Sequence, residues 1–514
     1  MRPILLFLFC ALFVACSSQT EVEYPPLIEN TDQHKEASKA PFFHGVASGD
    51  PLPNAVIIWT RVTPETQLPS VKVNWEISTD ESFQQLAREG QVITGPEKDY
   101  TVKVDAKNLE PGTQYFYRFM ALDGQSDVGQ TKTTPEDLQE INFAVVSCSN
   151  YEFGYFNGFG AISEENDLDA VLHLGDYIYE YAPGDYGDST TNRIHIPAKE
   201  IIELQDYRDR YAQYRLDPDL QAAHSKHPFI LVWDDHEITN NSYKDGAQNH
   251  QEDEGPYNVR KDIAVQVYYE WMPVRESGQL YRSFSFGDQV DLFMLDERLA
   301  GRTKQADSIT DPTLYDETRT MLGQKQLNWF QDKLKSSTAN WKVIGNQVIF
   351  SKLNWGRSEM DLNLDSWDGY PVEQEKIANL IQENGISDVV FVTGDTHSSW
   401  AFEVTHDPDN YNPQTSEGAY ALEFGTTSIN SGNFNERFTD EEVLAHEAKI
   451  VNTPVNPHLK YSNMRDHGYL LIKLSDDQVE ATWKYMKTLK ERDRTFKEEV
   501  RIEASRGTAK LDLE

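Results

Sequence analysis

The residues of this sequence that could do chemistry stand at the ends of apolar runs. In "FILVWDDHEITNN", residues 229–241, five apolar residues read as a buried strand and are followed at once by Asp234, Asp235, His236 and Glu237. Adjacent carboxylates repel, and burying them unpaired is costly, so something positive should face this pair. The local sequence supplies nothing of the kind. Five further segments end in the same way: "INFAVVSCSN" in Cys148, "LDAVLHLGDYIYEY" in Asp176 and Tyr179, "VDLFMLDERL" in Arg298, "WKVIGNQVIF" in Gln347, and "SDVVFVTGDTHSS" in Asp395 and His397. Six strand ends with this chemistry are hard to explain by folding alone.

Elements that could bring them together follow from the pattern after Pro135. Short apolar strands alternate there with helical patterns such as "EIIELQDYRDRYAQY" and "QKQLNWFQDKL". In open α/β sheets, the loops at the carboxyl ends of strands converge on a site. The segment before it is β throughout, with "AVIIWTRV" and the period-two "VKVNWEIS" (Val71, Val73, Trp75, Ile77). "NLEPGTQYFYRFMAL" resembles the turn and tyrosine strand of fibronectin-III-like sandwiches. The expected organisation is therefore a β-sandwich over 40–135, a catalytic α/β domain over 140–486, and a charged helical tail over 487–514.

Composition limits the function. The chain has 514 residues with 39% hydrophobic and 11% aromatic content, enough for a large core. A formal net charge of −37 excludes a broad nucleic-acid groove. An anionic substrate would need its positive charge from bound metal. The start, "MRPILLFLFCALFVAC", reads as a signal peptide over 1–16, because its apolar run is too short to span a membrane. "LFVAC" before "SSQT" resembles a bacterial lipobox, which makes Cys16 the lipidated residue and 17–39 a polar tether. The expected location is outside the cytoplasm, lipid-anchored to a bacterial membrane in the periplasm or at the surface. With Cys10 removed and Cys16 lipidated, Cys148 remains alone and no intramolecular disulfide can form. Such a thiol is either buried and inert, or a ligand or nucleophile.

Taken in order, "GVASGDP", "IIWTRV", "SCSNYEFGYFN", "GDYIYEY", "WDDHEITNN" and "LDSWDGYP" resemble the PhoD-like alkaline phosphatases of the metallophosphoesterase superfamily, over about 43–484. The resemblance implies a calcineurin-like ββ core flanked by helices and a centre holding Fe³⁺ and Ca²⁺. Cys148, Tyr179 and His397 would hold iron, with Asp176 bridging to a second metal held by Asp235, Asp395 and Gln347. Thiolate, phenolate and imidazole suit a transition metal, whereas oxygen-only ligation selects a hard cation. His236 matches the position that protonates the leaving oxygen. Arg298 could clamp phosphate oxygens or pair with Asp296 or Glu297, and Asp234 and Glu237 would orient their neighbours. The implied reaction is hydrolysis of phosphate mono- or diesters, diesters slightly favoured, by a metal-bridging hydroxide in a monomeric lipoprotein. Phospholipid head-group hydrolysis and a non-catalytic calcium-binding adhesion role are the alternatives.

Overall fold

The computed structural model describes residues 24–137, 139–356 and 362–513. The expected signal peptide and Cys16 lie outside the described residues. No helix among the described residues is long and apolar enough to cross a membrane.

Two large sheets carry the site. In the first, the strands Glu140–Val146, Ala170–His173 and Pro228–Leu231 lie side by side and parallel. In the second, Val290–Met294, Trp341–Gly345 and Val389–Thr393 do the same. These strands are short and apolar on both faces because both faces are covered. On the inner faces Phe143, Val145 and Leu172 share one core cluster with Leu292, Val343 and Val390 of the opposite sheet. The alternate residues Phe293, Ile344 and Phe391 point outward and pack on the helices Gly323–Ser336 and Pro371–Glu383 through Leu327, Phe330, Ile377 and Ile381. Against the first sheet lie the helices Leu204–Arg215 and Pro218–Lys226, where His224 stacks on Phe229 at 3.9 Å. The order is helices, sheet, sheet, helices, with six parallel strands ending on one side.

Three expectations need correction. The 40–135 segment does form a two-layer sandwich, with Val56, Ile58 and Val102 packed on Val73, Ile77, Tyr117 and Phe119. One of its layers, however, is not separate. Val46–Leu52, Ala55–Arg61 and Thr101–Lys107 continue the first sheet, because Val46–Leu52 pairs in parallel with Pro228–Leu231, and with Gly468–Ser475, Gln478–Met486 and Phe496–Ser505 on the opposite edge the sheet has nine strands. Residues 24–39 are no free tether. Arg61, fully buried, requires counter-ions, and it finds Glu29 as well as Asp99 at 2.7 Å. Lys35 in turn holds Glu29. The tail, finally, contains a strand, Phe496–Ser505, paired along Gln478–Met486 at the sheet edge. Its alternation explains this: Ile502 and Ala504 are buried and Val500 packs on the same core, whereas Glu499 and Arg501 stay in solvent. Charge density suggested a helix, and the period-two pattern decides for the edge of a sheet.

Candidate metal centre

Each expected residue follows the carboxyl end of one of the six parallel strands, and four are held in the left-handed region: Cys148 (φ 60°), Asp176 (φ 56°), Asp395 (φ 63°) and His397 (φ 53°). Such conformations cost of order 1–3 kcal/mol each for non-glycine residues and persist only where the surroundings enforce them. The two "GD" pairs show how closely the loops approach. A side chain on Gly175 would meet the Asp234 backbone nitrogen at 2.4 Å, and one on Gly394 would meet Ser147 Oγ at 2.7 Å. These glycines let the loops on either side of each Asp close into one site.

One half of the site is a mixed donor set. Cys148 Sγ lies 3.4 Å from Asp176 Oδ2, Tyr179 Oη lies 3.3 Å from the same oxygen, and His397 Nε2 lies 3.1 Å from Tyr179 Oη. Metal–ligand bonds of about 2.0–2.3 Å space neighbouring donors by roughly 3–3.5 Å, so these four atoms suit a single ion. His397 is already oriented for this: its Nδ1 donates to the Gly432 carbonyl at 2.6 Å, which leaves the Nε2 lone pair facing Tyr179 and Asp176. Burial, and then the nearby Asp176 carboxylate among others, pushes the Cys148 thiol and the Tyr179 phenol well above their ordinary values. A cation would reverse both shifts by binding the deprotonated forms.

The other half is made of carboxylates. Ligand atoms of Asp234, Asp235 and Asp395 lie within 4.8 Å of one another, as do those of Asp176, Asp235 and His236. Asp176 belongs to both halves. Asp235 Oδ2 accepts from the Asn241 amide at 2.5 Å, while its Oδ1 and Asp234 Oδ2 are buried without a hydrogen-bond partner. Orphaned buried oxygens of this kind call for a cation. A positive group facing the acidic pair within the protein is Arg298, whose Nε bonds Asp234. It pairs with neither Asp296 nor Glu297. Asp296 accepts from the backbone at Arg298 and Leu299, and Glu297 receives Trp367 Nε1 at 2.7 Å. Trp367 is accordingly part of the core.

Two expected roles change. Arg298 is fully buried, with its nitrogens spent on Asp234, Asp365 and Asp395, so it is committed to carboxylates rather than offered to a phosphate. Gln347 has both ends of its amide in use, donating to Leu295 O at 2.8 Å and accepting from Glu297 N at 2.9 Å. It ties two strand ends together. Glu237 takes the orienting role given to it, accepting from the amides of Asp176 (3.0 Å), Tyr177 (2.6 Å) and Asp234 (2.9 Å).

The partner of His236 was missed by sequence reasoning. It is neither Asp234 nor Glu237 but Glu180, fully buried, whose Oε2 accepts from His236 Nδ1 at 2.7 Å. The Asn240 amide (2.7 Å), Asn249 Nδ2 (3.0 Å) and Thr239 Oγ1 (3.1 Å) hold the other oxygen. Burial works against the imidazolium, but Asp235, Glu180 and Asp176 outweigh it and raise the histidine well above its ordinary value. With Nδ1 donating to Glu180, the imidazolium's second proton is at Nε2. Glu180 stands four residues after Asp176 in "GDYIYEY", so the signal was present in the motif. Half-buried Tyr181 and Tyr186 wall the site beside it, Tyr181 5.4 Å from the His236 ring and Tyr186 6.4 Å from that of His397.

Comparisons with known proteins agree with this geometry. The family model described as "PhoD-like phosphatase" matches residues 143–483, and that of the PhoD-like phosphatase N-terminal domain matches residues 29–135. The chain is 39% identical to alkaline phosphatase D of Bacillus subtilis (strain 168), over 87% of this chain and 78% of that one. A solved structure of PhoD superposes with a TM-score of 0.83 at 35% identity, covering 93% of this chain and 92% of the other. The chain therefore belongs to the PhoD-like phosphatase family and is a phosphoric ester hydrolase.

Proposed function

We propose that this protein hydrolyses phosphodiesters, and monoesters less well, at a centre of two unlike cations. The observation that carries the reading is the pair of adjoining donor sets sharing Asp176, one with sulfur, phenol and imidazole and the other with oxygen alone. Cys148, Tyr179, His397 and Asp176 suit Fe³⁺, and Asp176, Asp235 and Asp395 suit Ca²⁺. When bound, such cations polarise phosphoryl oxygens and make a water acidic enough to attack phosphorus. The protein's own part is to bring the ester against these loops and to hold a proton at His236 Nε2, ready for the leaving oxygen. Glu180 fixes the imidazole so that Nε2 faces that oxygen.

The remaining parts of the reading concern the setting. An exported lipoprotein, anchored through Cys16 in the periplasm or at the cell surface, accounts for the apolar start and the lipobox-like ending. The protein acts as a monomer. The sandwich over 40–135 is fibronectin-III-like and the catalytic layers are calcineurin-like, the first bracing the second through their shared sheet. The test is direct. The purified protein is analysed for metals, then assayed on phosphomonoesters, phosphodiesters and phospholipids with Ca²⁺ added or chelated. Turnover should require Ca²⁺, return with Ca²⁺ better than with Zn²⁺, and be highest on diesters. Full activity after chelation would overturn the mixed-cation reading.

A further inference from the structure

Arg298 is the fully buried cation of the centre, and its placement is unusual for a substrate-binding group. It leaves the second sheet just after the strand Val290–Met294. Its Nε bonds Asp234, which follows the first sheet's strand Pro228–Leu231. Nη1 donates to Asp365 at 2.8 Å, and Nη2 donates to Asp395 at 3.4 Å and lies 3.9 Å from Asp235 Oδ1. A single planar fork thus touches loops from both sheets. Asp365 is itself held from behind: Arg302 Nη2 reaches its carboxylate at 2.5 Å and its carbonyl at 2.9 Å.

We propose that Arg298 is a positioning residue, an internal cation that sets Asp235 and Asp395 at ligand spacing before metal enters. This rests on the acidic half being a cation site. Two effects of the guanidinium on that site oppose each other. A fixed positive charge beside the site repels an incoming cation, which by Coulomb's law alone weakens binding. Against that, Asp234, Asp235, Asp365 and Asp395 crowd one buried region and repel. Without a counter-charge they would separate or take up protons. The geometry favours the second effect. Arg298 makes its strongest contacts to Asp234 and Asp365 and keeps the closer ligand, Asp395, at the long end of hydrogen-bond range, so it pins the frame while leaving the ligating oxygens available. Arginine suits this task and lysine does not, because only the fork reaches three carboxylates at fixed angles.

The two effects predict opposite signs, which makes the test decisive. The full-length protein is freed of Ca²⁺ with a calcium-selective chelator that leaves iron in place and is titrated with Ca²⁺ by calorimetry, with Tb³⁺ luminescence as a second probe. In Arg298→Gln, loss of repulsion alone would tighten Ca²⁺, whereas loss of positioning should weaken it by about 10–100-fold, the range for removing an outer support of a metal ligand. Arg298→Lys keeps the charge and should weaken Ca²⁺ as well. It decides the matter if the Gln variant does not fold. Iron held at Cys148, Tyr179 and His397 should stay at its original stoichiometry in both variants, which a general collapse would not allow. Unchanged or tighter Ca²⁺ binding in a folded variant overturns the positioning role. Wild-type protein that binds neither Ca²⁺ nor Tb³⁺ overturns it together with the reading of the acidic half, and the two failures are thereby told apart.

Discussion

The two halves of the centre are built by different means. In the half around Cys148, the donors satisfy one another: thiol, phenol, imidazole and carboxylate form a chain of contacts at 3.4, 3.3 and 3.1 Å. Among the described residues no guanidinium pairs with the Cys148 thiol, the Tyr179 phenol or the His397 imidazole, and Arg210 reaches only the Tyr179 carbonyl. In the half around Asp235 the groups are all carboxylates, one oxygen each of Asp234 and Asp235 is orphaned, and a buried arginine restrains the set. On the proposed reading, donor type selects the ion in the first half, since sulfur and nitrogen favour transition metals. In the second half every donor is hard, so spacing and charge count select it. A mixed set can be specified by residue identity. An all-carboxylate set also needs a scaffold that keeps like charges apart.

Substitutions can break this contrast, and the largest effect should come from the residue common to both sides. Asp176→Asn should remove cations from both halves and take turnover to background, measured by elemental analysis beside an ester assay. A variant that keeps either ion at full stoichiometry would show that the carboxylate is not shared. Next come the one-sided changes. Cys148→Ser should lose iron and keep Ca²⁺, and Asp395→Asn should do the reverse. Simultaneous loss of both ions in either variant would mean that the halves form one cooperative site. His236→Ala should leave both ions in place and slow turnover by about 10²–10⁴-fold, most for esters with poor leaving groups. Stripping of a metal by that change would make His236 a ligand instead of an acid. Glu180→Gln should follow the same pattern more weakly, by about 10–100-fold in kcat with KM little moved, as expected for an outer group that orients a functional one. A change confined to KM would argue against that role. The smallest effect on chemistry belongs far from the centre. Ile502→Ala, in the buried face of the tail strand, should lower stability by about 2–5 kcal/mol in denaturant titrations while metal content and turnover per folded molecule stay unchanged.

Much of this was legible in the sequence because it depends on residue type and local period. The apolar runs that become the six parallel strands, the glycines before Asp176 and Asp395, and nearly every polar side chain that the strand ends bring together can be read without coordinates. So can the need for a cation opposite Asp234 and Asp235, since adjacent buried carboxylates repel wherever they are placed. What answers that need cannot be read, because it is a contact between distant positions: Arg298 is 64 residues from Asp234 and Glu180 is 56 residues from His236. An arginine at a strand end looks the same in a sequence whether it meets a substrate or a carboxylate. Gln347 was misjudged for the same reason, its amide being taken up by two neighbouring strand ends. The tail and the 24–39 segment failed differently. Both are rich in charge, and charge marks solvent exposure on one side without saying what the other side covers. For the tail it is the edge of the first sheet, and for Glu29 it is the buried Arg61. Residue chemistry and period are properties of the chain, whereas the partner of a buried charge is a property of the packed fold, where burial makes leaving that charge unpaired too costly.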